Sequence, residues 1–233
     1  MAQTPPAALA AKAATTTIPI VFVAGFDPIG GGLVESFARP GGNVTGLSLQ
    51  QTDIAGKRLS LLRDLAPKSS VIAMLVNPIG PNTAPEIRDV NAAARAMGLQ
   101  VKVFNASTPS ELNAAFIAID GQRPDALLVG SDAFFVNRRE ELVAQAGRLG
   151  VPAAYTQREY VTVGGLFSYG TNVAKVYRQA GLYAGRILKG EKPGDLPIIR
   201  PTTFELVINL KTAKTLGLAV SEAMQQLADE VIE

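Results

Sequence analysis

The chain has 233 residues, and 22 Lys and Arg against 20 Asp and Glu leave a net charge of +2. These charges are interspersed and form no basic stripe of the kind that binds nucleic acid. With no His and no Cys, thiolate chemistry, the usual general base near neutral pH and most zinc sites are excluded. We therefore expect a non-enzymatic protein without cofactor or metal. No apolar run reaches the roughly 20 residues of a membrane span.

The first part of the chain predicts one helix and one strand. The helix covers about residues 6–14 and the strand covers Ile18–Val23, and the segment Asn43–Ser48 follows. The opening residues have no basic start followed by an apolar stretch, so they do not resemble a signal peptide. As written, the chain is therefore expected to stay in the cytoplasm.

Short segments rich in β-branched residues alternate with helical stretches from residue 71 to residue 169. Strands are predicted at Val71–Val76, Val101–Phe104 and Ala126–Val129. Such mostly apolar runs are typical of parallel strands that are covered on both faces. Repeated strand–helix–strand units at this spacing predict an α/β fold with an open, doubly wound sheet.

Start and stop signals mark the helices between these strands. Thr83 and Thr108 each begin a capping box that ends in Glu three residues later, with Pro tolerated in the first turn. Each of three helical stretches is followed by a glycine, at Gly98, Gly121 and Gly150, which is a common stop signal for a helix. The sequence therefore predicts three helices that end at these glycines.

A long amphipathic helix follows the doubly wound region, and its apolar stripe includes Tyr177 and Tyr183. Both tyrosines are predicted to be packing residues. The stretch Pro193–Pro197 then predicts a linker, and Phe204–Ile208 predicts a last strand before a terminal helical region.

Several segments, in the same order along nearly the whole chain, carry a resemblance to one family. They are Ile18–Pro28, Arg39–Gly46, Lys57–Pro67, Ala73–Pro78, Gly165–Gly170, Ala184–Gly190 and Phe204–Lys214. In these segments the chain resembles the periplasmic solute-binding proteins of ABC importers, of the tryptophan/tyrosine-type binding protein family. The resemblance implies a type I periplasmic binding fold with two doubly wound, Rossmann-like lobes.

The resemblance also implies how the chain divides. Lobe one is expected at residues 1–49 with 171–198, and lobe two at residues 50–170 with 199–233. Members of the family begin with a signal peptide and a further part of the first lobe, so the first lobe is expected to be incomplete here. The resulting unpaired sheet edge is a candidate surface for a homodimer.

Candidate site residues follow the strands, because ligands in open α/β sheets bind beyond the carboxyl ends of the strands. Phe26 is a candidate to stack on an apolar group and Asp27 to accept from an amine; alternatively, Asp27 orders the turn before Pro28. After the next strand, Asn77 and Asn82 are candidate ligand contacts beside the start of a helix, whose cap we assign to Thr83.

Two further loops supply the remaining candidates. Asp132 is expected either to bind a ligand amine or to cap the next helix, and Phe134 is a candidate to line the cleft. Tyr155 and Arg158 follow a later strand. The Arg158 guanidinium suits a carboxylate held through two parallel bonds, whereas the alternative is a surface cluster of Arg158 with Glu159.

The last candidate, Tyr169, is expected either to line the cleft or to pack at a hinge. Taken with the resemblance, these residues imply the solute-binding component of an ABC-type import system. Its ligand is expected to be an amino acid or another small, possibly aromatic, carboxylate, captured between two hinged lobes and delivered to an ABC permease. The alternatives are a ligand-sensing domain, a fragment that binds nothing, and an α/β enzyme.

Overall fold

The computed structural model describes residues 5–49 and 54–233. It divides into two compact units: unit 1 comprises Met1–Gln51 with Thr171–Phe204, and unit 2 comprises Thr52–Gly170 with Glu205–Glu233. The prediction about a signal peptide concerns in part residues 1–4, and the predicted lobe boundary lies at residue 50. Residues 1–4 and 50–53 are outside the described part of the chain. The two predicted lobes remain a hypothesis about the whole protein.

Helices and strands alternate along most of the chain. In chain order they are α1 (Pro5–Ala14), β1 (Ile20–Ala24), β2 (Val44–Ser48), α2 (Ala55–Leu65), β3 (Val71–Val76), α3 (Thr83–Met97), β4 (Gln100–Asn105), α4 (Pro109–Gln122), β5 (Ala126–Val129), α5 (Ala133–Val136), α6 (Arg139–Leu149), β6 (Ala153–Tyr155), α7 (Arg158–Thr162), β7 (Phe167–Thr171), α8 (Val173–Leu188), β8 (Phe204–Asn209), α9 (Leu210–Thr215), α10 (Glu222–Leu227) and β9 (Glu230–Ile232).

Unit 1 is built on the parallel pair of β1 and β2, in which Phe22 lies opposite Gly46. Successive side chains of β1 point to opposite faces of the pair. Phe22 therefore packs in the same apolar cluster as Ala8 of α1, whereas Val23 packs with Val176 of α8. The two helices thus cover opposite faces of this small sheet.

Unit 2 is built on a seven-stranded sheet in the order β4-β3-β5-β6-β7-β8-β9. Alternate side chains of β3 enter two different cores: Ile72 and Met74 pack on the face covered by α2 and α3, and Ala73 and Leu75 pack on the face covered by α4 and α6. The pairs β3–β4, β3–β5, β5–β6 and β6–β7 are parallel. The predicted doubly wound α/β fold is therefore confirmed.

The strand order of unit 2 reverses at β3. From β3 the chain first adds β4 on one side and then places β5 on the other. Consecutive crossovers consequently leave in opposite directions, and in open α/β sheets ligands bind outside the carboxyl ends of the strands at such a reversal. The fold itself therefore points to the loops after these two strands as the place for a ligand.

One of the two predicted capping boxes is confirmed and the other is wrong. The Thr108 hydroxyl accepts from the Glu111 N–H at 3.2 Å, and the Glu111 carboxylate accepts from the Ser107 N–H at 2.8 Å. In α3, by contrast, the residue at the cap position is Asn82, and its side chain makes no capping hydrogen bond. Thr83 is the first helical residue, and its hydroxyl donates to the Asn77 carbonyl oxygen, so it is not available as a cap.

Three other predictions need correction. Helix α4 runs through Gly121 and ends at Gln122. Its cap, Arg123, adopts the left-handed conformation at φ 46° and directly precedes a proline, which cannot continue the helix. Strand β1 begins at Ile20, because Pro19 has no N–H for the ladder. Tyr177 is 37% exposed whereas Tyr183 is buried, since α8 covers only a two-stranded sheet and buries a narrow stripe.

No helix within residues 5–49 and 54–233 has the length and apolar character that crossing a membrane requires.

Asp125 fixes the start of β3 from the neighbouring loop. Its carboxylate accepts from the N–H groups of Ser70 and Val71, both at 2.8 Å, and from the Ser70 hydroxyl at 2.9 Å. The hydrogen bonds from Val71 and Ser70 hold the pKa of this carboxyl below its ordinary value. The ionised form therefore binds the folded backbone more tightly than the neutral form does.

Asp125→Asn is expected to lower the free energy of unfolding at neutral pH by about 1 kcal/mol, a modest amount because the side chain is exposed and screened by solvent. Since the folded pKa is lowered, this stabilisation is present above the ordinary Asp pKa of about 3.9 and is lost as the pH falls through the folded value. Melting temperatures of wild type and variant should therefore converge in acid. A gap that stays constant from neutral pH to about pH 2 would contradict this role.

Candidate functional site

Two loops of unit 2 meet at the point where the strand order reverses. The loop after β3 contains Asn77 and Gly80, and a Cβ placed on Gly80 would lie 2.9 Å from the Thr83 hydroxyl oxygen and 3.1 Å from Asp132 Oδ2 of the loop after β5. Glycine at this position therefore lets the two loops approach each other closely. We call Arg58, Asn77, Thr83, Glu86, Ser131 and Asp132 the switch-point cluster.

A buried ion pair lies within this cluster. Arg58 of α2 is 0% exposed and Glu86 of α3 is 2% exposed, and Arg58 Nη2 lies 2.5 Å from Glu86 Oε1. The second carboxylate oxygen, Glu86 Oε2, accepts from the Ser131 N–H at 2.9 Å. The pair consequently connects two helices to the loop that follows β5.

Gly130 keeps room for this arrangement. A Cβ at Gly130 would lie 3.0 Å from the Leu75 carbonyl oxygen and 3.3 Å from Glu86 Oε2. Any larger residue would have to displace the carboxylate or the backbone of β3. The end of β5 is thus shaped so that the Glu86 carboxylate can reach the Ser131 N–H.

Asp132 has the structural role that the sequence offered as one alternative. Its Oδ1 accepts from the Phe134 N–H at 2.8 Å and so caps α5. The half-buried Phe134 ring lies under the Arg138 guanidinium, 4.4 Å from the ring centroid to Cζ, and Phe135 is fully buried. A ligand contact by Asp132 through Oδ2, or by Phe134, remains a prediction.

Tyr155 lies deep in the core of unit 2. It is 1% exposed and stacks on Tyr160 with ring centroids 4.7 Å apart. Burial raises the pKa of the Tyr155 phenol, and burial likewise raises that of Tyr160. Both phenols therefore stay neutral at physiological pH. A ligand contact by Tyr155 is untested, and its aromatic face is already occupied by Tyr160.

Arg158 has a different partner from the one the sequence suggested. Its Nη2 lies 2.7 Å from Glu230 Oε2 and 3.0 Å from Glu230 Oε1, so the alternative of a surface cluster with Glu159 is wrong. Glu230 lies on β9, far from Arg158 along the chain. The role of Arg158 as a carboxylate ligand remains a prediction, and it would require this ion pair to rearrange or to share the guanidinium.

The remaining candidates lie on several elements. The half-buried Tyr169 of β7 packs against the core on the α2 side of the sheet. Asn82 caps α3 beside the switch-point cluster. In unit 1, Phe26 is buried in the apolar cluster that includes Phe22, and Asp27 Oδ1 accepts from the Ile29 N–H at 3.0 Å. Asp27 therefore orders the turn at Pro28, and the ligand roles of these four residues remain predictions.

Unit 1 also contains an open pocket of about 400 Å³. Its walls come from the start of α8, including the cap residue Asn172 and Lys175, and from the segment 199–203 with Arg200. The Arg200 guanidinium stacks on the Phe37 ring at 3.7 Å. None of the predicted site residues lines this pocket.

Sequence reasoning missed the two most buried charges of the site. Arg58 stands next to Lys57 in a helix with several charged residues, a pattern typical of a solvated face. Glu86 was assigned only to a capping box. The one signal that pointed toward Arg58 is its helical spacing from Ala55, Leu59 and Leu62, all of which are buried, and that spacing alone does not separate a buried arginine from an exposed one.

The switch-point cluster is suited to holding a polar molecule. It presents a cationic guanidinium, a carboxylate and amide groups on rigid strand ends and helix starts. The sequence offers neither His nor Cys to activate a nucleophile. This set of groups supports recognition by charge and hydrogen bonding.

Comparisons with known proteins agree on one family. The family model described as "ABC transporter substrate binding protein" matches residues 1–232. A curated relative from Clostridioides difficile (strain R20291), named tyrosine-binding protein, is 32% identical over 213 residues, which make up 91% of this chain and 61% of the relative. The chain thus spans about three fifths of that relative's length.

Two solved structures are similar over nearly the whole chain. The ABC domain in complex with L-Trp from Streptococcus pneumonia is 28% identical, with a TM-score of 0.86, and the match covers 99% of this chain and 79% of that chain. A conserved domain protein from Vibrio cholerae is 28% identical, with a TM-score of 0.87, and the match covers 98% of this chain and 76% of that one.

Proposed function

Because the chain belongs to the ABC transporter substrate-binding protein family, we propose that it is the solute-capturing component of an ABC-type import system and that its ligand is an aromatic amino acid. The resemblance stated from the sequence is confirmed at the level of the family and of the type I periplasmic binding fold. Family members are binding proteins. The proposal includes the specific ligand, the permease partner and a localisation outside the cytoplasmic membrane.

The observation that carries this proposal is the switch-point cluster of unit 2. Polar and charged side chains from α2, α3 and the loops after β3 and β5 converge there, at the position where open α/β sheets bind small molecules. An amino acid carries an ammonium and a carboxylate, and the cluster offers Asp132 for the first and cationic or N–H donors for the second.

Two relatives support the choice of an aromatic amino acid. The relative with 32% identity is named for tyrosine, and the solved structure with 28% identity contains L-Trp. Both similarities cover more than nine tenths of this chain.

Thermal unfolding of the full chain with L-tyrosine, L-tryptophan or L-phenylalanine tests the proposal. A ligand present at 100 times its Kd should stabilise the protein by about 2.7 kcal/mol, which for a chain of this size raises the melting temperature by roughly 5–10 °C. L-Lysine and glucose serve as compounds of the wrong chemistry. A folded protein whose melting temperature responds to none of the three aromatic amino acids, with no heat of binding by calorimetry, would overturn the proposal.

A matched pair of variants links the response to the site. Asp132→Asn keeps a good helix cap and removes the charge that would face the ligand ammonium, so the temperature shift should shrink strongly. Asp120→Asn makes the same change on the exposed side of α4 and should leave the shift intact.

A further inference from the structure

The Arg58–Glu86 pair is satisfied on one side only. The Glu86 carboxylate has a partner at each oxygen, Arg58 Nη2 at 2.5 Å and the Ser131 N–H at 2.9 Å. On the arginine, however, Nε and Nη1 are buried and find no hydrogen-bond partner among residues 5–49 and 54–233. Buried donors of a charged group are rarely left in this state.

Two neutral hydroxyl groups of unit 2 are also buried without a hydrogen-bond partner among the described residues. They are the Tyr160 hydroxyl and the Ser168 hydroxyl. Ser168 lies opposite Tyr155 in the β6–β7 pair, and Tyr155 stacks on Tyr160. Both hydroxyl-bearing residues therefore lie beside Tyr155, the last residue of β6, and Arg58 is close enough to Tyr160 to act on the pKa of its phenol.

The chemistry of the guanidinium determines what can bind it. Its five N–H donors lie in one plane and form two-pronged edges, each of which matches the two oxygens of a carboxylate. Glu86 takes one N–H of Nη2, so the second N–H of Nη2 remains, together with Nε or Nη1, as one open edge. A single further carboxylate would satisfy that edge through two parallel bonds.

Charge balance favours a zwitterion as the occupant. Glu86 already neutralises Arg58, and Asp132 adds one negative charge to the cluster. A simple carboxylic acid would add a second negative charge that nothing compensates. An α-amino acid carries an ammonium as well as a carboxylate, and the ammonium can pair with Asp132. Burial is the main cause that raises the pKa of the Tyr160 phenol. The charge of Arg58 lowers this pKa and the charge of Asp132 raises it, so both charged groups lie close to Tyr160.

We propose that Arg58 is the carboxylate anchor of the ligand site: its guanidinium, oriented by Glu86, binds the α-carboxylate of an amino-acid ligand through the edge for which the described residues supply no partner. This inference rests on the proposed function and assigns a residue and a ligand group to it. Glu86 acts as a positioning residue, because it holds the guanidinium and does not touch the ligand.

The test measures, by calorimetry, the affinity of wild type and Arg58→Lys for L-tyrosine and for tyramine, which lacks only the carboxylate. Lysine keeps a positive charge for Glu86 but cannot form a two-pronged edge. Wild type should bind L-tyrosine on the order of a hundredfold more tightly than tyramine, and Arg58→Lys should lose about that factor for L-tyrosine while its affinity for tyramine changes little.

Arg63→Lys is the matched control on the same helix. The Arg63 guanidinium donates to the Ser69 carbonyl oxygen, outside the switch-point cluster, so this variant should bind L-tyrosine as wild type does. If Arg58→Lys does not fold, the double variant Arg58→Met with Glu86→Leu takes its place, because it removes both charges and keeps apolar volume; it should lose about the same factor of affinity for L-tyrosine.

The outcomes separate this inference from the proposed function. L-Tyrosine binding that survives in Arg58→Lys, or equal affinity of wild type for L-tyrosine and tyramine, overturns the anchor while the proposed function stands. If wild type binds neither an aromatic amino acid nor any other α-amino acid, the proposed function and the anchor fail together.

Discussion

Glu86→Ala is expected to destabilise unit 2 by about 3–5 kcal/mol, because it leaves the Arg58 charge buried without its counter-ion. Both side chains are almost completely buried, so solvent cannot replace the lost partner. The Ser131 N–H would also lose its acceptor. Urea unfolding monitored by circular dichroism measures the change as a fall in the transition midpoint.

A double variant separates the two parts of this effect. Arg58→Met with Glu86→Leu removes both charges and restores apolar volume, and such replacements of buried pairs are often neutral or stabilising. We expect the double variant to recover most of the stability lost in Glu86→Ala but not to bind an amino acid. A Glu86→Ala protein as stable as wild type would show that the Arg58 charge is not confined in the interior.

Gly46→Ala is expected to destabilise unit 1 by about 3 kcal/mol, since the new methyl group has no space. A Cβ on Gly46 would lie 2.1 Å from the Phe22 carbonyl oxygen and 2.7 Å from the Phe22 nitrogen. These are backbone atoms of the paired strand, so no side-chain rotation relieves the overlap. The β1–β2 pair must separate, and the cluster around Phe22 loses its packing.

Gly181→Ala in the same unit is the control. Gly181 lies in the middle of α8, and no atom falls within 4 Å of the Cβ it would gain. Alanine should stabilise this helix by about 0.5–1 kcal/mol, because it restricts the unfolded chain more than glycine does. Equal melting temperatures for Gly46→Ala and wild type would mean that the two strands approach less closely than described.

Much of unit 2 could be predicted because its signals are local. The β-branched runs at β3 and β5 identify buried parallel strands, and the cap at Thr108 identifies the start of α4. Each of these signals depends on residues within one or two turns of one another. The errors at Thr83 and Gly121 are also local: a turn or a following proline overrode the usual capping preference.

The site was only partly predictable. Asn77, Asn82 and Asp132 were chosen because they follow strands, and the structure places them in the two loops at the reversal of strand order. Arg58 lies on a helix and not on such a loop, so the same reasoning did not reach it. Its importance depends on burial and on the partners of each nitrogen, neither of which a helical pattern encodes.

The sequence by itself determined the alternation of strands and helices and, through the ordered resemblance, the family. The hydrophobic period and the capping signals are properties of neighbouring residues. They predict the same helices and strands whatever the order in which these elements pack. Only the tertiary structure decided the strand order with its reversal at β3, the pairing of Arg158 with Glu230 across 72 residues, and the burial of Arg58 against Glu86. These features depend on which distant segments meet, and a charge acquires its partner only when the chain has folded around it.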